Sequence, residues 1–448
     1  METNCILYST TFNNAKKNQT TQWLRLVPDI GIENEVVNLY PKVKYQQFEG
    51  FGGAFTDSAG YVFSLMDTQR RLQLLNAYYG PDGLGYTLGR THLDSCDFSV
   101  GHYQAVDDPT DTTLQRFTLE RSEKYILPLL RAAQNIYGKK IPLMAAPWSP
   151  PDFMKTTGLR NYGGALKSEF KSIYAAYLCR YIKELKKAGA DIVRLTIQNE
   201  PNAWQTWDSC LYTPLEEKEF IRDFLYPALL KNSLEDVELF IWDHNKERVY
   251  ERACDIIDDE TDSMVSGVAF HWYSGDHFEA LNLVRERFPE KKMVQSEACI
   301  EFRHYSQDGM LFNAQKYAHD LIGDFNGGMT AFYDWNLVLD EKGGPNHVQN
   351  YCDSPFLYHT DTGVLEERAT YAYLGHFTKH IRPNARRIAF SRYCEAADVT
   401  AFENTDGSIS AVFLNRTKEY LPIVLRVNGL MTYFTLPSES ISTFVIPG

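Results

Sequence analysis

Between residues 47 and 335 one pattern recurs: a short apolar run, a polar or glycine-rich loop, then a longer segment with helical spacing. The runs that read as buried strands are 47–52, 85–93, 141–148, 192–200, 237–244, 267–273, 292–297 and 328–335. The segments between them, such as 68–79, 119–137, 168–188, 214–231, 276–288 and 313–325, carry apolar residues three and four apart, as in Tyr174, Tyr177, Ile182 and Leu185. Strands alternating with helices imply a parallel sheet, and a count of eight favours a closed barrel over an open sheet. The expected fold class is therefore α/β, an eight-stranded β/α (TIM) barrel.

After Arg382-Pro383 the period changes. RRIAFSRY, DVTAFEN, ISAVFLNR, LPIVLRV, MTYFTL and STFVIP are short alternating strands, with hairpin signals at Asp406-Gly407 and Asn428-Gly429. Six strands would leave an incomplete β-sandwich, so the amino-terminal runs WLRLV and VVNLY are expected to complete it. The expected division is residues 1–40 in a small antiparallel side β-sandwich, 41–383 in the catalytic barrel, and 384–448 in the side domain again.

The expected strand ends hold the chemistry. In IVRLTIQNEP (192–201) an apolar run stops abruptly at Gln198, Asn199, Glu200 and Pro201. Asp94-Ser-Cys-Asp97, Trp148-Ser-Pro-Pro-Asp152, Trp242-Asp-His-Asn245, His271-Trp-Tyr273, Ser296-Glu297 and Tyr333-Asp-Trp-Asn336 follow the same rule. In a parallel barrel those ends converge on one pocket. Glu200 and Glu297 would face each other across its mouth, as a retaining glycosidase requires: one carboxyl protonates the leaving oxygen, the other attacks the anomeric carbon, about 5 to 5.5 Å away. The acid must keep its proton near neutral pH, which apolar neighbours and the second carboxylate would promote. Asn199 could hold a sugar 2-hydroxyl, which assigns Glu200 as acid/base and Glu297 as nucleophile.

Plainer readings stand beside these. Glu297 could be a structural acid paired to an arginine, His271 a satisfied core histidine, Asp97 a loop cap and Trp148 packing. Arg90 points into the barrel, where it needs an acidic partner.

Composition narrows the class. A formal charge of −13 argues against nucleic acid or an anionic membrane as partner. No stretch approaches the roughly 18 apolar residues of a spanning helix, and METNCILYSTTFNN lacks a basic n-region followed by an apolar core. The eight cysteines are scattered without a CxxC pair, as expected of reduced thiols. The chain thus reads as cytoplasmic, a reading that removal of a leader would reverse. HExxH, GxxxxGK[ST] and GxSxG are absent, so no metal and no cofactor are expected. An aromatic share of 14% suits stacking on sugar faces, which makes a neutral saccharide the expected partner. No pattern sets an oligomeric state.

The segments FEGFGGAFTDSAG (48–60), GYTLGRTHLDSCDFS (85–99), AAPWSPPDFMKTTG (145–158), QNEP (198–201), AFHWYSG (269–275), SEAC (296–299), DWNLVLDEKGGPN (334–346) and YLGHFTKHI (373–381) resemble glycoside hydrolase family 30 in order and along nearly the whole chain. The resemblance implies a barrel with a side β-domain built from both chain ends, a retaining mechanism and no metal. It implies Glu200 as acid/base, Glu297 as nucleophile and Asn199 at the 2-hydroxyl. Asp97 and Trp148 would bind the sugar, and His271 and Tyr273 would flank the nucleophile. Trp335 and Asn350 would add contacts, and Arg90 would hold the carboxylates. Lysosomal members carry a signal sequence and amino-terminal disulfides, whereas only Cys5 occurs before residue 96 here. The expected substrate is accordingly a short β-linked glucoside cleaved exo-wise. An endo-β-1,6-glucanase, a β-xylosidase or a β-fucosidase is the alternative within the family. Transglycosylation through the same intermediate, and a carbohydrate-binding protein on a decayed scaffold, are the alternatives outside hydrolysis.

Overall fold

The computed structural model describes residues 3–13 and 16–448; positions 1–2 and 14–15 of the expected 1–40 segment lie outside the described residues. Eight strands close a parallel ring: β1 (Gly50–Ala54), β2 (Leu88–Leu93), β3 (Pro142–Pro147), β4 (Asp191–Thr196), β5 (Glu238–Asn245), β6 (Gly267–His271), β7 (Lys292–Glu297) and β8 (Ala331–Asp334). Each pairs with the next, and β8 returns to β1 with Ala331 opposite Gly50. Inward-facing Leu88, Met144, Phe240, Ala269, Val294 and Tyr333 fill the ring as a packed core. Strand β1 starts three residues later than its apolar run, because the preceding strand extends to Gln47 in the other sheet. At Gly52 a Cβ would lie 2.4 Å from the Leu88 carbonyl oxygen, so the close seam between β1 and β2 requires glycine.

The connecting helices follow the apolar spacing, with breaks where the sequence imposes them. The segment 119–137 splits into Glu120–Lys124 and Ile126–Tyr137. The segment 214–231 opens on a Thr213/Glu216 capping box and widens into a π turn over Phe220–Leu225. Pro227 lies just beyond, where its missing N–H and ring would clash with regular α geometry.

The second sheet has nine strands and closes on itself. Six are the carboxy-terminal strands between Arg386 and Ile446; three are Thr3–Asn13, Lys16–Pro28 and Val36–Gln47. Pairing is antiparallel except where Leu421–Val427 runs parallel to Val36–Gln47. Its core includes Leu7, Leu26, Val37, Phe413, Phe434 and Phe444. Both chain ends meet there, with Ile6 opposite Val445. The helix Ala369–Thr378 joins the two bodies: the buried His376 reaches Thr443 through Nδ1 at 2.9 Å and Thr10 through Nε2 at 2.8 Å. Among the described residues, no helix is long and apolar enough to cross a membrane.

Candidate active site

Arg90 organises the carboxyl end of the barrel. Fully buried on β2, it donates from Nη1 to Glu297 Oε2 at 2.6 Å. From Nη2 it donates to Asn199 Oδ1 and to Asp243 Oδ2, each at 2.9 Å. Its guanidinium lies 5.0 Å from the Trp148 ring and 5.1 Å from the Trp335 ring, and the two indoles stack 5.3 Å apart. A buried cation is costly unless paired; Asp243 and Glu297 supply the compensation, and removing one partner of such a cluster costs about 3–5 kcal/mol. Glu297 is thus paired to an arginine, as its plainer reading held, yet it also opens onto the cavity. Its Oε1 accepts from Tyr273 Oη at 2.8 Å.

Glu200 reaches the same cavity from the end of β4. Its φ of 49° lies in the left-handed region, a conformation that costs a non-glycine residue about 1–3 kcal/mol and that concentrates at working sites. The turn is held by its amide, which donates to the Asp243 carbonyl at 2.9 Å. His271 bridges the acids, with Nδ1 3.3 Å from Glu200 Oε1 and Nε2 3.0 Å from Asp243 Oδ1. Burial works against a charge on His271, but Glu297, Asp243 and Glu200 outweigh it and push the imidazole up to about 9. Burial alone would likewise raise the Glu200 carboxyl, yet the hydrogen bond from His271, with His244 nearby, holds it below its ordinary value. That direction is opposite to the one expected from apolar neighbours and a second carboxylate, because a cationic imidazole touches the acid and no spacing in the chain announces that contact. Asp243, for its part, is held well below the usual range: burial opposes ionisation, and Arg90 and His271 overcome it.

Asp97 lies on the other wall. Burial, reinforced by Glu297 and Glu200, pushes its carboxyl well above the usual range, while Asn346 Nδ2 donates to Oδ2 at 3.1 Å. Asn346 belongs to the loop after β8, whose fold depends on Gly343: its φ is 84°, and a Cβ there would stand 2.2 Å from the Cys352 carbonyl oxygen. The same loop places Asn350, whose amide donates to Asn346 Oδ1 at 3.0 Å.

Of the expected residues, Asp97, Trp148, Asn199, Glu200, Tyr273, Glu297, Trp335 and Asn350 line one cavity. Arg90 and His271 stand behind that lining and act on it through hydrogen bonds; His271 meets Glu200 directly rather than Glu297. Asp243, Asn346, His244 and Trp207 were not singled out as site residues. The first has a clear signal in hindsight: Arg90 demanded an acid, and Trp242-Asp-His-Asn245 offered one at a strand end. Asn346 stands in the GGPN motif, and Trp207 lies in the loop that follows Glu200.

The arrangement can donate a proton, present a nucleophile and pack a flat face against aromatics. The Glycosyl hydrolase family 30 TIM-barrel domain matches residues 48–381, and the Glycosyl hydrolase family 30 beta sandwich domain matches 384–444. The lysosomal acid glucosylceramidase of Mus musculus is 32% identical over 430 residues, covering 92% of this chain and 83% of that protein. The crystal structure of SrfJ from Salmonella typhimurium superposes with a TM-score of 0.93 at 33% identity, covering 99% of this chain and 100% of that one. The endo-beta1,6-glucanase BT3312 superposes at 0.85 with 25% identity over 99% of each chain. Two carboxylates on one barrel mouth, the side sheet built from both termini, and matches that together span nearly the whole chain lead to one conclusion: the protein belongs to glycoside hydrolase family 30.

Proposed function

We propose that the protein is a retaining, exo-acting β-glucosidase for short, neutral β-linked glucosides, with Glu297 as nucleophile and Glu200 as acid/base, both carried by the 41–383 barrel. The observation that carries this reading is the unlike grip on two carboxylates in one cavity. Glu297 is fixed by a guanidinium and a phenol, as suits an ionised nucleophile; Glu200 touches an imidazole that can store a proton. In the first step Glu297 Oε attacks the anomeric carbon as the bond to the leaving oxygen breaks. Glu200 delivers the proton held by the His271–Glu200 pair to that oxygen. In the second step water attacks the glycosyl–Glu297 ester, Glu200 takes its proton, and the carboxylate is released.

The neighbours have assignable parts. Asn199 spends Oδ1 on Arg90, which leaves Nδ2 to donate to the sugar 2-hydroxyl. Asp97, whose carboxyl burial shifts upward, lies beside the sugar position, and Trp148, Trp335 and Asn350 would hold the remaining sugar face and edge. Eight free cysteines support a reducing, cytoplasmic setting. The likeness to BT3312 favours endo-β-1,6-glucanase action as the second reading.

Glu297→Gln should abolish turnover of an aryl β-glucoside while the protein stays folded; normal activity in that variant overturns the assignment. A panel of aryl β-glucoside, β-xyloside, β-fucoside and a β-1,6-glucan separates the sugars. Rapid cleavage of the glucan with an inert aryl glucoside would replace the first reading with the second.

A further inference from the structure

A second constellation lies outside the sugar cavity, where the loops after β2, β4 and β8 meet. Asp208 is buried, and its Oδ1 accepts from Arg160 Nε at 2.6 Å and Ser95 Oγ at 2.9 Å, with His102 Nδ1 a longer 3.4 Å away. Its Oδ2 accepts no hydrogen bond and faces two imidazoles. His102 Nδ1 lies 3.3 Å from Oδ2, and His347 Nε2 lies 3.6 Å from it. One ligand atom from each of the three residues lies within 4.8 Å of the other two.

An ordinary ion pair between Asp208 and a protonated His102 would explain one contact and leave the other unexplained. His347 Nδ1 is 3.2 Å from the Ser99 carbonyl, which accepts only if that nitrogen carries the hydrogen. In the neutral ring Nε2 then presents a lone pair, and it is aimed at a carboxylate oxygen that also has only lone pairs to offer. Nε2, like Oδ2, is buried without a partner. Two acceptors facing each other in the interior call for a cation between them. The Nδ1–H to carbonyl bond is also the usual way that a ligating histidine is held in its tautomer.

We propose that His102, Asp208 and His347 form a binding site for a divalent transition metal of the zinc class. Tetrahedral zinc with nitrogen and oxygen ligands about 2.0–2.1 Å away sets neighbouring ligand atoms about 3.3 Å apart, close to the 3.3 and 3.6 Å between Asp208 Oδ2 and the two imidazole nitrogens. Two imidazoles and one carboxylate select zinc or a neighbouring transition ion over magnesium or calcium, whose ligands are oxygens. His102 is 44% exposed along its side chain and provides the way in, leaving the fourth position to water. The ion would join three loops that also shape the sugar cavity. Trp207 precedes Asp208 and lines the cavity, while His347 follows Asn346 and donates its amide to the Asp97 carbonyl at 3.3 Å. The three positions, 102, 208 and 347, follow no ligand spacing in the sequence, so only the folded chain assembles them.

The test uses the full-length protein stripped with a chelator and titrated calorimetrically with zinc chloride, with cobalt(II) absorbance as a second probe. One zinc per chain, visible cobalt bands of a low-coordinate nitrogen and oxygen site, and no competition from equimolar magnesium or calcium are expected. His102→Ala and His347→Gln should each weaken zinc binding at least tenfold. His102→Ala, at an exposed position, should keep the melting temperature and aryl β-glucosidase activity of the metal-free parent, so a folding defect in His347→Gln would leave the test intact. Absence of stoichiometric zinc binding, or binding unchanged in His102→Ala, overturns the proposal.

Discussion

Two arginines are buried within the same barrel, and they do different work. At the foot, Arg194 on β4 donates from Nε to Glu238 at 2.9 Å, from Nη1 to Tyr333 Oη at 3.0 Å, and from Nη2 to Glu49, with Lys292 paired to both acids. Those acids keep about a third of their surface in water, so the cluster opens to solvent at the foot of the ring. At the mouth, Arg90 faces Asp243, which is wholly buried, and Glu297, which is nearly so. Both clusters offset the cost of a buried guanidinium, but only the upper one turns a paired carboxylate into the cavity. Charge density alone therefore does not mark the active end; a paired acid that still touches the cavity does.

Substituting the two arginines separates these roles. Arg90→Met should reduce hydrolysis of an aryl β-glucoside to background and cost about 3–5 kcal/mol of stability by stranding Asp243. If that variant fails to fold, Arg90→Lys keeps the charge but not the fork, and kcat should fall about 100-fold in a folded protein. Arg194→Met should lower the denaturation midpoint by an amount equivalent to about 1–2 kcal/mol, discounted because its acids are partly solvated and keep Lys292. Its kcat should stay within about twofold of the parent, since no cavity residue touches it. A large kcat loss in Arg194→Met would dissolve the distinction between foot and mouth.

The smaller effects are in pH. His271 has a folded value raised to about 9, so its share of stability is complete below about 6.5 and is lost as pH rises through about 9. The difference in melting temperature between the parent and His271→Gln should shrink across that window, and kcat/KM should fall along it as the His271–Glu200 pair loses its proton. A flat difference would show that His271 is neutral throughout. At the foot the window is acidic. Burial tends to raise the Glu238 carboxyl, but Lys292 and Arg194 hold it below its ordinary value. Its contribution is therefore present above about 4.5 and lost as pH falls through the lower folded value. Arg194→Met should flatten that acid limb and leave the alkaline one in place.

Much of this was legible in the chain. The eight barrel strands are buried on both faces, so each appears as a continuous apolar run cut off by polar residues, and Glu200 and Glu297 mark two of those cuts. Asp243 was harder to read because β5 does not keep a period of two. Trp242 and Asp243 both have positive φ, 73° and 50°, and the register with β6 slips between Trp242 and His244. Those local turns bring Asp243 inward, and no alternation rule anticipates them. The strand Thr3–Asn13 was equally quiet: Ser9 and Thr10 are polar yet buried, Ser9 through a 2.8 Å hydrogen bond to Ser442, so the segment lacks the apolar density that signals a core strand.

That last pairing also sets a schedule. Ser9 and Ser442 are 433 residues apart, so on a ribosome adding about 5–20 residues per second the early strand waits roughly 20–90 s for its neighbour. The whole barrel emerges in the interval and can condense first, while an unpaired edge of the nascent side sheet stays open to other chains. A nascent chain stalled before residue 440 should therefore hold a formed barrel and an open sheet, which makes the emergence of Ser440–Ile446 the moment at which the side sheet becomes closed.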